Sequence, residues 1–340
     1  MPTAPPHGER VNGWVILDKP LGLGSTQAVA AVKRVCREAG LGKVKVGHGG
    51  TLDPLATGVL PIALGEATKL TGRMLDASKV YDFTIAFGTE TDGLDAEGAV
   101  VATSDVRPTL AQLQAVLPRF TGPIEQVPPA FSAIKVDGQR AYDRARAGEV
   151  MEMAGRMVTV HSLTITPSSV CPELVEGLSF LSAVDDEKDS PSTSSGRAGK
   201  GARDGLQSIT LAAHVSKGTY IRSLARDIAH ALGTVGHVAM LRRTRAGPFT
   251  LEQAISLDKL NAFGQGAAHT DVILPLEAGL VDIPALNLSP EAAGAVRQGR
   301  VLTGVATDDG LYWAHAGDFV PLALVSLSAG TLKVARGFNL

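Results

Sequence analysis

Between residues 79 and 88 apolar and polar positions alternate. Tyr81, Phe83, Ile85 and Phe87 fall on one face, with Val80, Asp82, Thr84 and Ala86 on the other, which predicts a strand with an inward row. Tyr81 opens that row, so its hydroxyl needs a polar partner or a cleft. Residues 220–232 show the helical period instead. Ile221, Leu224, Ala225, Ile228 and Leu232 form one stripe, and Arg222 and Arg226, four apart, line up beside it. The same reading predicts strands over 13–17, 59–64, 131–136, 156–166, 207–215 and 237–241. It predicts helices from a Ser25 or Thr26 cap to about 39, where Gly40 stops the turn, from Glu66 for a short run, and over 109–117 and 139–147. After about residue 275 the texture changes: a helix at 290–298 and strands at 310–315, 319–326 and 331–336 predict a small β-rich domain over 280–340.

Two stretches break the rhythm. Residues 47–58, GHGGTLDPLATG, hold four glycines and a proline and read as a loop. Residues 168–206 are rich in Ser, Gly and charge without a sustained period, and read as a flexible insertion in a hairpin. Residues 1–11 read as a disordered leader without the apolar run of a signal peptide.

Composition narrows the class. At 44% hydrophobic and 19% charged, the 340-residue chain has enough apolar material for a sizeable core. No stretch approaches the roughly 18 apolar residues of a membrane helix, so no membrane partner is expected. Cys36 and Cys171 give neither a disulfide framework nor a zinc pattern, and a cytoplasmic location is the default. The eight histidines show no metal spacing. Net charge is −2, but its distribution is uneven. Residues 171–190 carry six acids against Lys188, whereas 214–245 carry Lys217, Arg222, Arg226, Arg242, Arg243 and Arg245 against Asp227. A local excess of +5 suits a phosphate backbone.

Asp53, crowded by glycines and followed by Pro54, is a candidate nucleophile or base on a rigidly held loop; an Asp-Pro turn with no chemistry reads equally well. SKGTYIRSLARDI at 216–228 puts an arginine in a first helical turn, a cationic site or simply an amphipathic helix with a snorkelling side chain. LGLGST at 21–26 fits neither the P-loop nor the dinucleotide fingerprint.

The segments together resemble one family. GHGGTLDPLATG at 47–58 is similar to the catalytic loop of the TruB family of tRNA pseudouridine-55 synthases. DKPLG at 18–22, SKVYDFTIAFG at 78–88, VPPAFSAIKVDGQRAYDRAR at 127–146, SKGTYIRSLARDI at 216–228 and HVAMLRRTRAGPF at 237–249 follow in the family's order. The resemblance runs from about residue 12 to 275. It implies an α+β pseudouridine synthase fold with a mixed, largely antiparallel central sheet, and a small PUA-like RNA-binding domain over 280–340. It also implies isomerisation of uridine in the T-loop of tRNA, with no metal and no organic cofactor. Asp53 then matches the catalytic aspartate, Tyr81 the tyrosine that packs on the target uracil, and Arg222 the arginine that pairs with the aspartate. Tyr220 and Leu241 match pocket residues, His48 a histidine that engages the splayed T-loop, and Lys19 and Pro20 a structural motif beside the cleft, on the substrate side. The basic run from Arg242 through Arg243 to Arg245 is expected to hold phosphates. Gly49 stands where the family often has threonine, and the 168–206 insertion is not typical of it. A monomer working without a guide RNA is expected, since the C-terminal domain is small and no long basic tail follows. An RNA-binding folding chaperone with dispensable catalysis and a guide-dependent synthase are the other readings.

Overall fold

The computed structural model describes residues 11–132, 134–136, 139–141, 144, 147, 149, 153–166, 205–266, 272–317 and 319–340. The expected leader, apart from Val11, and the expected insertion, apart from Gly205 and Leu206, lie outside the described residues.

In chain order the elements begin with β1 (Gly13–Lys19), α1 (Ser25–Glu38), β2 (Val46–His48), β3 (Ala56–Leu64), α2 (Thr71–Asp76) and β4 (Lys79–Phe87). There follow β5 (Thr89–Thr91), β6 (Val100–Thr103), α3 (Leu110–Val116), β7 (Gly122–Gln126), β8 (Lys135–Val136), β9 (Gln139–Arg140), β10 (Arg156–Ile165) and β11 (Ser208–Val215). The chain continues with α4 (Ile221–Ala231), β12 (Gly236–Ala246), β13 (Phe249–Thr250), α5 (Leu257–Gly264), β14 (Ala285–Asn287) and α6 (Pro290–Arg297). It closes with β15 (Leu302–Thr303), β16 (Gly310–His315), β17 (Pro321–Ser328) and β18 (Thr331–Gly337). Helices combine with mixed sheets in which antiparallel pairs dominate, as an α+β fold requires.

The chain divides into two compact units. One comprises residues 1–81, 214–218 and 240–340, the other 82–213 and 219–239. In the first unit β3 is the hub. β1 runs antiparallel along one edge, from Gly13 opposite Leu64 to Lys19 opposite Gly58. The other edge is shared: β2 pairs antiparallel with Ile62, Ala63 and Leu64, and β12 pairs parallel with Ala56, Thr57 and Gly58. Both faces of these strands are covered. Trp14 and Ile16 point into a core with Val59, Met74 and Phe249, while Val15 and Leu17 point into another with Val32, Leu60 and Ile62. Burial on both faces explains why β1 and β3 are nearly continuous apolar runs rather than alternating ones.

The C-terminal strands, in order β14-β16-β17-β18-β15, enclose a core of their own with α6, and belong to this same unit. Leu324, Phe338 and Trp313 also reach the core that contains Trp14. In the second unit the ladder order is β4-β11-β10-β7. The Thr84 and Thr210 hydroxyls meet at 2.9 Å, and β10 lies antiparallel to β7. Phe83, Ile85 and Phe87 are buried as the alternation predicts.

Several elements differ from expectation. Of the strand expected over 131–136, only Lys135 and Val136 are strand among the described residues. Neither Ser25 nor Thr26 caps α1: Gly24 is the cap, its N–H donating to the Gln27 side chain at 2.8 Å, and Ser25 opens the helix. The strand expected over 237–241 continues to Ala246 straight through the basic run, because Arg243 faces inward and is buried. The helix expected over 139–147 opens on the strand β9, paired to β8, and most of its later residues lie outside the described set.

Candidate active site

The loop at residues 49–55 leaves β2 and re-enters the sheet as β3, so it emerges where the shared edge of β3 is open between β2 and β12. Arg243 fills that opening. It is 1% exposed, and its guanidinium donates to Val59 O at 2.7 Å, Thr51 O at 3.2 Å and Gly50 O at 3.2 Å. One buried fork thus satisfies a strand-edge carbonyl and two loop carbonyls, a geometry only arginine offers. The backbone leaves no slack: a Cβ on Gly58, at φ +99°, would lie 2.2 Å from Arg243 O.

Two buried lysines serve the same region. Lys19 is fully buried, with Nζ donating to Leu23 O at 2.7 Å, Pro20 O at 3.0 Å and Pro54 O at 3.2 Å, tying the residue after Asp53 to the turn after β1. Burial lowers its pKa to about 8, opposed by the nearby Asp53 carboxylate and reinforced by Arg243. Lys79 donates to Met74 O, Leu75 O and Ala77 O, supplying the donors that the end of α2 lacks. Burial, then Arg243, lowers it to about 8 as well.

Ser25 completes the cradle. Its Oγ donates to Leu52 O and accepts from Leu52 N, both at 2.9 Å, so the residue before Asp53 is held like a strand partner. Leu52 is buried, Asp53 is half-buried, and Asp53 O accepts from Ala56 N at 3.0 Å to close the turn. Leu52 belongs to a cluster on which Tyr81 and Leu241 pack, and Leu241 lies in register with Ala56. The structure therefore brings together the Asp53 loop, Tyr81 and Leu241 within one unit. His48 is part of the same neighbourhood. Its Nδ1 accepts from Gly50 N at 3.3 Å, and burial, followed by Arg243, lowers its pKa, so the neutral ring is favoured. A Cβ on Gly49 would sit 2.6 Å from Met74 Cβ, so the glycine at 49 and the bulk of Met74 go together.

The basic run does not act as one surface. Arg243 is inside and structural, a correction to its expected phosphate contact. Lys19 is likewise interior rather than on the substrate side, because its ammonium is consumed by three carbonyls. Arg242 is partly exposed and forked onto Asp18, at 2.8 and 3.1 Å.

Arg222 and Tyr220 lie in the second unit. Tyr220 caps α4, and the buried Gln126 side chain accepts from its N–H at 2.8 Å and donates to its C=O at 3.1 Å. The Arg156 guanidinium lies 4.8 Å from the Tyr220 ring centroid. Arg222, 6% exposed, donates to Gly93 O at 2.8 Å, Phe131 O at 2.9 Å and Asp95 Oδ2 at 3.3 Å. It joins α4 to the turn after β5 and to the segment after β7. The sequence reading missed Ser25, Lys79, Gln126 and Asp95. A lysine opening an alternating apolar strand was a usable signal for Lys79; Gln126 and Asp95 carried none.

A mixed sheet carrying a clamped, glycine-rich aspartate loop defines an enzyme-like class, and comparison with known proteins makes it specific. Residues 37–174 match the family model for the TruB family pseudouridylate synthase N-terminal domain, and residues 222–281 the tRNA pseudouridylate synthase B C-terminal domain. A tRNA pseudouridine synthase B from Novosphingobium aromaticivorans is 66% identical over 97% of this chain and 98% of its own. The protein of that name from Zymomonas mobilis is 51% identical over the full length of both chains. Among solved structures, an H/ACA ribonucleoprotein bound to a substrate RNA containing 2'-deoxyuridine matches with TM-score 0.64 at 22% identity. That likeness, over 96% of this chain and 85% of the other, speaks to the fold alone. A Cbf5–Nop10–Gar1 complex matches with TM-score 0.63 at 25% identity, over 96% and 84%. The chain belongs to the TruB family of pseudouridine synthases.

Proposed function

We propose that this chain converts a uridine in the T-loop of tRNA, position 55, to pseudouridine, with Asp53 as the essential carboxylate. The observation that carries this is the Asp53 loop of a TruB-family chain, its backbone clamped on both sides of the aspartate by Arg243, Ser25 and Lys19. The reaction breaks N1–C1′, turns the uracil, forms C5–C1′ and moves the C5 proton. Nothing is oxidised and no group departs, so the chemistry demands neither metal nor organic cofactor. It demands a positioned carboxylate at the sugar, as nucleophile or base, and rigid clamping supplies the positioning. The resemblance assigns Arg222 as the cation that accompanies the catalytic carboxylate.

A base stacked inside an RNA fold must be flipped out and held by an aromatic face. Tyr81 provides that face and takes part in removing the C5 proton. By resemblance Leu241 and Tyr220 are assigned as pocket residues, and His48 as the residue that engages the opened T-loop. Arg242 faces the backbone once a phosphate displaces Asp18. The 66% identity to a tRNA pseudouridine synthase B favours direct action on tRNA over a guide-dependent assembly, and a cytoplasmic monomer is proposed with it.

The test is tritium release from C5-labelled uridine in an unmodified tRNA transcript, with no cofactor or guide added. Wild type should release about one equivalent per tRNA. Asp53→Asn should release none while binding tRNA within about tenfold, or ~1.4 kcal/mol. Turnover surviving in Asp53→Asn would remove the role assigned to Asp53, and no turnover by folded wild type would favour a chaperone or a guide-dependent enzyme.

A further inference from the structure

One cation of the basic run is held differently from the rest. In the first unit the ends of β12, β4 and β11 lie side by side in that order. They present Arg245 from β12, Ser78 immediately before β4, and His214 from β11. Arg245 Nη2 and Ser78 Oγ both lie 2.9 Å from the same atom, His214 Nε2. The backbone frame is tight, because Gly247 N donates to Ser78 O at 3.0 Å and Arg245 sits in register with Thr250 of β13.

The donor count does not close. Arginine has only donors, so His214 Nε2 must be the acceptor, in a neutral ring. An imidazole nitrogen offers one lone pair, yet a guanidinium N–H and a serine hydroxyl are both aimed at it. Arg245 Nε is buried without a partner as well. Among the described residues Arg245 rests on an imidazole, in contrast to Arg242, which is forked onto Asp18. All three residues are half-buried, so the cluster is in part accessible to solvent. A desolvated cation, a hydroxyl donor and too few acceptors form a receptor for a single anionic oxygen, which would satisfy Arg245 and Ser78 together.

We propose that Arg245, Ser78 and His214 form a binding site for one phosphate of the RNA backbone, separate from the Asp53 loop. Arg245 and Ser78 donate to the phosphate oxygens, and His214 holds the guanidinium in place until RNA arrives. The site rests on the reading that tRNA is the substrate. A phosphate contact carries no base information, so it fixes where the RNA lies and not which RNA is chosen.

Binding and turnover of unmodified tRNA transcript by the full chain, measured across a salt series, test this. Arg245→Gln should raise KM roughly three- to tenfold and flatten the slope of log Kd against log salt by about 1, the signature of one lost phosphate contact. Ser78→Ala should raise KM less and leave the slope nearly intact, because it removes a donor and no charge. Arg245→Lys should recover most of the slope. Inorganic phosphate, as a separate probe, should compete with RNA for wild type more strongly than for Arg245→Gln. An unchanged salt slope in folded Arg245→Gln, whatever happens to its melting temperature, would overturn the proposal and make the cluster a packing feature. If Arg245→Gln does not fold, a KM for Ser78→Ala equal to that of wild type would do the same. Failure of the tRNA reading looks different: wild type itself would then neither bind nor turn over the transcript.

Discussion

A buried ammonium is tolerated when carbonyls surround it, and Lys19 and Lys79 each face three. Tolerance is not indifference, since burial lowers both groups to about 8 while the unfolded chain holds its lysines near the ordinary value of 10.5. As pH falls from 10.5 to 8, the unfolded chain takes up protons that the folded chain refuses, and stability is lost. Below about 8 that loss is complete, and rising pH restores it over the same window. Each lysine contributes a slope of at most about 1.4 kcal/mol per pH unit. Lys79→Met should therefore flatten the rise of unfolding free energy between pH 8 and 10 in urea melts, relative to the parent. Parallel curves for the two proteins would mean that Lys79 has an ordinary pKa in the folded state.

At the scale of elements, the Asp53 loop is a segment whose geometry is set from outside itself. Its carbonyls are held by Arg243 from β12 and Lys19 from β1, and Leu52 by Ser25 from the first turn of α1. Ser25→Ala would strand the buried N–H and C=O of Leu52 and should destabilise the chain by about 1–3 kcal/mol. It should also lower kcat more than it raises KM, because the displaced group is the aspartate and not an RNA contact. An equal loss of melting temperature with kcat untouched would show that Leu52 does not set the position of Asp53. Much of this was legible in the sequence. Alternation gave β4, the helical stripe gave α4, and the glycines around Asp53 marked the loop. What was not legible was the destination of polar side chains. Ser25 has the chemistry of a cap, but its hydroxyl faces a loop that is 27 residues away in sequence. The basic residues of β12 looked like a surface, but the strand alternates, so Arg243 turns inward while Arg242 keeps to the outside. Periodicity identifies the face a residue occupies; which carbonyls await it there is decided by tertiary pairing.

Across the whole molecule, the sequence suggested a small C-terminal domain with its own role, and the strands from Ala285 onward do enclose a separate core. That core is not the end of the matter, because Leu324, Phe338 and Trp313 also contribute to the cluster around Trp14 beneath β1 and β3. The indole of Trp14 donates to Leu276 O at 3.1 Å and packs 5.1 Å from the Phe249 ring. Polar ties run beside these apolar contacts. Lys69 donates to Gly337 O at 2.8 Å, Glu66 accepts from Asn339 N at 2.8 Å, and Arg73 pairs with Asp282. A tethered module would leave the rest of the chain intact when removed, whereas a shared core would not. Deleting residues 285–340 uncovers the face that Leu324 and Phe338 bury, and each large buried apolar side chain contributes about 2–5 kcal/mol. The shortened chain should lose at least about 4 kcal/mol, or roughly 10 °C in melting temperature, and Phe338→Ala in the full chain should show part of that loss. An unchanged melting temperature with weakened tRNA binding would instead make the C-terminal strands an accessory held on by their linker. The packing around Trp14 argues for the first outcome, in which the segment helps to hold the sheet from which the Asp53 loop emerges.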